Sequence, residues 1–439
     1  MKNTRILLAA ALALAVSSCG IYGKYQPQMT EEEELAIEVP SYRDIFEDAE
    51  LVELIDSALA NNLDLKMAHE RVHQADLKLT SAKLAYLPRI FVGGSPVVSL
   101  NPSQPVNPSN LSYTFGTASW EIDIFGRVTN QKRIAKSYRD QMEDFEQAAR
   151  AELVSAVAYV YFTLQMLDAQ IEATDEAENN WAESVDAVRA MKEAGLEDEA
   201  AVSQFEGSYY ATRASGKTLR LMRDVTENSM RLLLCCDTCT IRRNPISSVD
   251  HPLVNAEAVK SIDLNAVRVR PDVKAAEMQL AQSFYNVNLA RANCCPSISL
   301  GGNVGWTNGN ILFGLIGNLL QPVFNAGENI NQVKVSKSQL EENQMAYANA
   351  LLQAGTEVNN AVSSIKTYRD QVDDYSNRVS AMQRALEATQ LKMKYGRGTY
   401  LEVLTAQNNL LEAQIAEIQN KADILTSVVD LYSALGGGR

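Results

Sequence analysis

The sequence predicts a mainly α-helical fold with a small β part, built from one unit used twice. Three observations carry that expectation. The stretch Pro271–Ile298 matches an upstream stretch at an ungapped offset of 208 positions, laying Asp272 on Asp64, Lys274 on Lys66, Gln282 on Gln74, Ala290 on Ala82 and Pro296 on Pro88. All twelve prolines fall within 27–108 or 245–322, which leaves two very long intervals without the main helix breaker. After each of Pro88 and Pro296 the apolar period changes to two, the signature of strands.

The N-terminus comes first. Lys2 and Arg5 precede the apolar run Ile6–Val16, and Ser17-Ser18-Cys19 follows it, so residues 1–18 read as a secretory signal peptide. Cys19 at the boundary resembles a bacterial lipobox, and Gly20 after it resembles lipoproteins sorted to the outer membrane; the expected modification is acylation of Cys19, palmitate included. Losing the signal removes two basic residues and no acidic one, so the net charge of −14 becomes −16. Such a chain is a poor partner for nucleic acid. Residues 19–50 read as a lipidated arm, with Glu31–Glu34 solvated.

The first repeat is expected over 51–240. Leu51, Leu54, Ile55, Ala58 and Leu59 keep helical spacing, Asn61-Asn62 interrupts it, and Asp64 is placed to cap a second helix reaching Tyr86. That helix contains His69-Glu70-Arg71-Val72-His73, a literal HExxH. A zinc peptidase is disfavoured, because His251 is the one other histidine, no acidic residue lies between Asp76 and Glu121, and the second copy has Glu277 and Ala281 at the corresponding positions. No metal, cofactor or catalytic residue is assigned.

From 89 to 125 the alternation predicts a β-hairpin, with Asn101–Asn110 as its turn; the second copy predicts another at 297–324 around Thr307-Asn308-Gly309-Asn310. Tyr113, Trp120, Trp306 and Phe313 are candidate interfacial aromatics of a transmembrane barrel. Two hairpins cannot close a barrel and an open edge cannot sit in lipid, so a membrane reading requires several chains.

Arg127–Met191 holds 65 residues without Gly or Pro, a helix of about 100 Å. Its counterpart, Asn329–Tyr395, has 67 residues and Gly355 as its one glycine. Each ends in a glycine turn, Ala194-Gly195-Leu196 or Gly396-Arg397-Gly398-Thr399, before a returning helix. A linker is expected at 241–262 and the second repeat at 263–439. The narrow apolar seams, as at Ala388, Leu391, Leu401, Leu404 and Leu411, favour coiled-coil packing of long antiparallel helices.

These residues resemble a known family, the outer-membrane efflux factors or TolC-like channels, in the lipoprotein branch of RND-type multidrug efflux components. The resemblance rests on Trp120-Glu121-Ile122-Asp123-Ile124-Phe125-Gly126-Arg127, Arg270-Pro271-Asp272-Val273, Gln321-Pro322-Val323-Phe324, Tyr400-Leu401-Glu402-Val403-Leu404-Thr405-Ala406-Gln407 and Leu431-Tyr432-Ser433-Ala434-Leu435-Gly436-Gly437-Gly438. It implies a homotrimer whose four strands per chain make a 12-stranded transmembrane β-barrel and whose helices make a periplasmic α-helical tunnel. It also implies a periplasmic adaptor and an inner-membrane pump, of RND type, as partners in expelling drugs or other toxic compounds. By the same resemblance Gly195, Leu196, Gly398 and Thr399 are adaptor-facing tips.

Two departures stand out. The short loop before Tyr400 lacks the aspartate that some relatives place there as a gate, so Glu197, Asp198, Glu199 and Glu402 are the candidate acidic gate or selectivity ring. Cys235, Cys236, Cys239, Cys294 and Cys295 exceed the family's usual complement; Cys236-Asp237-Thr238-Cys239 has redox or metal spacing, without a matching second pair. The expected function is passive conduction by a non-enzyme. The alternatives are a structural coiled-coil envelope lipoprotein and a type I secretion channel.

Overall fold

A computed structural model describes residues 20–29, 40–98, 111–246, 264–307, 310–320 and 326–437. Cys19, the signal peptide, the acidic run, His251, most of the 241–262 linker, the hairpin turns and Gln321–Phe324 lie outside the described residues. In chain order the elements are α1 (Tyr42–Ile45), α2 (Ala49–Asn61), α3 (Leu63–Leu84), β1 (Arg89–Val98), β2 (Leu111–Ile122), α4 (Arg127–Glu193) and α5 (Glu199–Leu234). There follow α6 (Pro271–Ala292), β3 (Ser297–Thr307), β4 (Asn310–Leu320), α7 (Glu328–Asp370), α8 (Val372–Lys394) and α9 (Tyr400–Ala434). Short 3-10 helices cover Gly20–Tyr22 and Leu264–Val269. The expected class, mainly helical with four strands, is the one observed.

The chain divides into two compact units. The first, from Met1–Glu34, Ala68–Phe145 and Asp272–Ala350, carries a four-stranded antiparallel sheet in the order β1-β2-β3-β4. The two hairpins are joined through β2 and β3, with Trp120 opposite Leu300 and Ile122 opposite Ile298. Within this unit α4 and α6 are stitched by buried amides: Gln141 donates to Gln279 at 3.0 Å and Gln282 donates to Gln141 at 2.9 Å. A seam too narrow for a large apolar core thus satisfies its polar groups internally.

The second unit comprises Leu35–Met67, Glu146–Pro271 and Leu351–Arg439. Trp181, Val185 and Val188 of α4 bury against Phe205 of α5, Leu386 of α8 and Val403 and Leu410 of α9. Asp48 caps α2 and also accepts from Tyr161 at 2.6 Å and Asn244 at 2.9 Å. Arg270 is buried, donates to the Ala434 carbonyl at 2.9 Å and pairs with Glu357 at 2.7 Å. That clamp joins the Arg270-Pro271 motif to the C-terminal one, where Tyr432 donates to the Gly437 carbonyl at 2.6 Å.

Several expectations are corrected. Asn62, and not Asp64, caps α3: its Oδ1 accepts from the Leu65 N–H at 3.0 Å, while its Nδ2 donates to the Leu233 carbonyl. Helix begins inside the expected arm, with α1 at Tyr42–Ile45 and the start of α2 at Ala49. The 329–395 helix is two helices parted at Gln371, because buried Asn420 donates into the backbone at the Tyr368 carbonyl (3.1 Å) and to Gln371 Oε1 (3.5 Å). In β1 the alternation breaks where the register shifts between Val92 and Ser95, a bulge at Gly93-Gly94. The start of the expected linker is anchored, since Arg243 pairs with Asp168 and with Glu227.

Candidate channel wall and tip

The sheet sorts its side chains by chemistry. Paired residues share a face, so Val92, Gly116, Val304 and Phe313 lie in one row, and Ile90, Ala118, Gly302 and Leu315 in the next. Trp120, Leu300 and Gly317 continue it, and Tyr113 meets Trp306 with ring centroids 6.0 Å apart. The opposite face is mixed: Thr117, Ser119, Glu121, Ser299 and Asn303 share it with Phe91 of β1 and with Leu312 and Ile316 of β4. Val92 is 90% exposed, Phe313 81% and Leu315 84%, and β4 is exposed along almost all its length. Among the described residues the outer edges of β1 and β4 have no strand beside them. One apolar face, one mixed face with its polar residues on β2 and β3, and strands of 10 to 12 residues meet the requirements for a membrane-spanning β-wall.

The Trp120–Arg127 motif is the joint between strand and helix. Asp123 accepts from the N–H groups of Val128 (2.9 Å) and Thr129 (2.8 Å), capping α4, and Glu121 pairs with Arg127. That contact and burial act oppositely on the Arg127 guanidinium, and the hydrogen bond to Glu121 prevails, raising its pKa. Gly126 is left-handed at φ +69°, and a Cβ there would stand 3.1 Å from the Tyr22 ring. Tyr22 donates to the Ile124 carbonyl, Arg133 to the Gly23 carbonyl at 3.1 Å, and the Gln28 N–H to Glu277 at 2.7 Å. Sequence reasoning missed this docked arm, although the tyrosines at 22 and 25 were the available signal.

At the other described site both glycine turns have one geometry. Leu196 N–H donates to the Met191 carbonyl and Gly195 N–H to Lys192; Arg397 donates to Lys392 and Gly396 to Met393, all at 2.9–3.0 Å. These are Schellman turns, with Gly195 at φ +74° and Gly396 at +66°. Phe205 sits between Trp181 (5.7 Å) and Tyr400 (6.5 Å), so the two turns belong to one cluster. Leu196 is 75% exposed. A Cβ on Gly398 would lie 2.9 Å from Lys392 Cβ. Asp198 is the cap of α5, accepting from the Ala201 N–H at 2.9 Å, and Glu199 pairs with Lys192; Glu402 is exposed in the first turn of α9, after Thr399, whose side chain makes no cap bond.

His69, Glu70 and His73 lie on the exposed side of α3. Among the described residues no group of three or more His, Cys, Asp or Glu is arranged to hold a metal ion, and no helix is long and apolar enough to cross a membrane. Cys294 and Cys295 occupy the turn between α6 and β3.

The profile of the family described as outer membrane efflux protein matches residues 54–235 and 265–437. The toluene efflux pump outer membrane protein TtgC of Pseudomonas putida is 29% identical, covering 99% of this chain and 96% of that protein. The cation efflux system protein CusC of Escherichia coli is 25% identical, covering 98% and 99%. A crystal structure of CusC superposes with a TM-score of 0.84 at 24% identity over 95% of this chain and 99% of the other; VceC of Vibrio cholerae gives 0.80 at 22% over 90% and 97%. The match spans both repeats, the sheet and both turns, and the chain belongs to the outer membrane efflux protein family.

Proposed function

We propose that three copies of this chain form the outer-membrane channel of a tripartite efflux system, conducting drugs or other toxic compounds passively. The observation that carries the reading is the four-stranded sheet with two unpartnered edges and one apolar face. Its edges need strands from neighbours before the backbone groups can enter lipid, and three sheets of four make a 12-stranded wall. The long helices of each copy then line a periplasmic tunnel. Relatives named for antibiotic, toluene and cation efflux support export, and their variety leaves the compound class open between organic and inorganic cargo.

The partners in this reading are a periplasmic adaptor, meeting the turns at Gly195-Leu196 and Gly398-Thr399, and an inner-membrane pump of RND type. Acylated Cys19 adds a lipid anchor beside the barrel. The test is the mass of the detergent-extracted protein together with complementation of a strain lacking its own channel but retaining adaptor and pump. A trimer that restores resistance supports the reading; a stable monomer, or a trimer without transport, sinks it.

A further inference from the structure

Among the described residues four helices end in the same Schellman geometry, and three of them place glycine at the left-handed position, at Gly195, Gly396 and Gly436. The fourth, α5, places Cys235 there, at φ +51°. A side chain with a Cβ is strained in that region, which glycine occupies freely. The turn is closed by Cys235 N–H donating to the Leu232 carbonyl (3.1 Å) and Cys236 N–H to Arg231 (3.0 Å), so the chain doubles back immediately after the helix. Doubling back brings Cys239 onto Cys236: its Sγ donates to the Cys236 carbonyl at 3.6 Å. Cys235 Sγ has a different partner, donating to the Leu232 carbonyl of its own helix at 3.6 Å.

The two neighbouring thiols are unequal. The bond from Cys239 holds the Cys236 thiol below its ordinary value, whereas burial, and then the same contact, push Cys239 up. An accessible, more acidic thiol beside a less acidic one is the arrangement in which one sulfur attacks and the other resolves. Both, together with Cys235, open onto a cavity of about 600 Å³ that Glu50, Glu53 and Arg242 also line, which gives a reagent access.

We propose that Cys236 and Cys239 are a disulfide-forming pair, with Cys235 outside it. The Cys236 thiolate attacks one sulfur of a disulfide carried by a thiol oxidoreductase of the exported compartment, forming a mixed disulfide and releasing one thiolate of the donor. Cys239 loses its proton and attacks the Cys236 sulfur, releasing the donor's second thiolate. Two thiols of this chain are oxidised and one donor disulfide is reduced. The product closes a four-residue loop between the end of α5 and the anchored stretch at Ile241–Asn244.

The test is differential alkylation of protein from the outer-membrane fraction, read by mass on the tryptic peptide Leu232–Arg242. The expected result is one label on Cys235 before reduction and two more, on Cys236 and Cys239, after dithiothreitol. In Cys235→Ala the first label disappears and the protected pair remains. Full labelling of all three thiols before reduction overturns the proposal. Loss of protection in Cys235→Ala, or protection lifted by a chelator without reductant, does so as well. Purified reduced protein treated with oxidised glutathione tests the pair independently of the cell: the same two thiols should become protected, and failure there is a failure of the geometry itself.

Discussion

Asn420 reaches across from α9 and donates its side-chain amide to the main-chain carbonyl of Tyr368, 3.1 Å away. The bond takes an acceptor that a continuous helix would use for its own next turn, and α7 and α8 part three residues later, at Gln371. Replacing Asn420 by Ala should lower stability by about 1–3 kcal/mol, since the residue is buried and its partners lose a donor. It should also slow hydrogen exchange of the Val372 amide as the helix closes. Unchanged exchange there would detach the break from Asn420.

Tyr161 gives a pH dependence. Its hydroxyl donates to Asp48 at 2.6 Å and accepts from the Asn244 N–H at 3.2 Å; burial, followed by the bond to Asp48, raises its pKa above the ordinary 10.0. The unfolded chain therefore ionises first, so the contribution is complete below pH 10 and is lost as pH rises further. Tyr161→Phe should cost about 1–2 kcal/mol at neutral pH and reduce the alkaline fall in stability. Thermal midpoints of both proteins between pH 8 and pH 11, in steps of roughly half a unit, measure the difference.

Gly398 tests the tip. A bulky side chain there meets Lys392 Cβ and the Met393 main chain, so Gly398→Phe should rearrange the turn and reduce efflux while the amount of trimer is unchanged. Normal resistance in cells carrying that variant would remove the turn from the docking surface.

The acidic residues separate into two kinds. Asp198→Ala should cost about 1 kcal/mol through the lost cap, and Asp198→Asn much less. A selectivity ring predicts instead that Glu197→Gln, Asp198→Asn, Glu199→Gln or Glu402→Gln weakens cation preference in planar bilayers. Reversal potentials identical to the parent in all four would rule out the ring and leave capping for Asp198 and pairing for Glu199.

Anchoring is tested at Cys19. Cys19→Ala should abolish incorporation of labelled palmitate, and labelling that persists places the acyl group elsewhere. The stretch from Tyr22 to Gln28 is held by its own contacts to Ile124 and Glu277, so the expected outcome is that trimer is still recovered from the variant.

How much of this was legible follows from the range of the forces. Gly195 and Gly396 announce their turns because a left-handed backbone is a local demand. The sheet's two faces are legible in the period of two. The parting of α7 and α8 was invisible, since Gln371 is an ordinary helix residue and its cause lies 49 positions downstream at Asn420. Asn62 was passed over for Asp64 because both can cap, and the bond to Leu233 that favours Asn62 depends on packing 171 positions away. The acidic tip was read as one group, whereas Asp198 and Glu199 already have partners.

The sheet's free edges also bear on genetics. If a wall is complete only when three copies contribute, a chain able to offer one sound edge and one damaged edge still enters assemblies and leaves each of them with a gap. Alleles of this kind should be dominant over the normal gene, whereas alleles that prevent folding altogether should be recessive. The position of a lesion on β1 or β4, rather than its severity, would then decide how it is inherited.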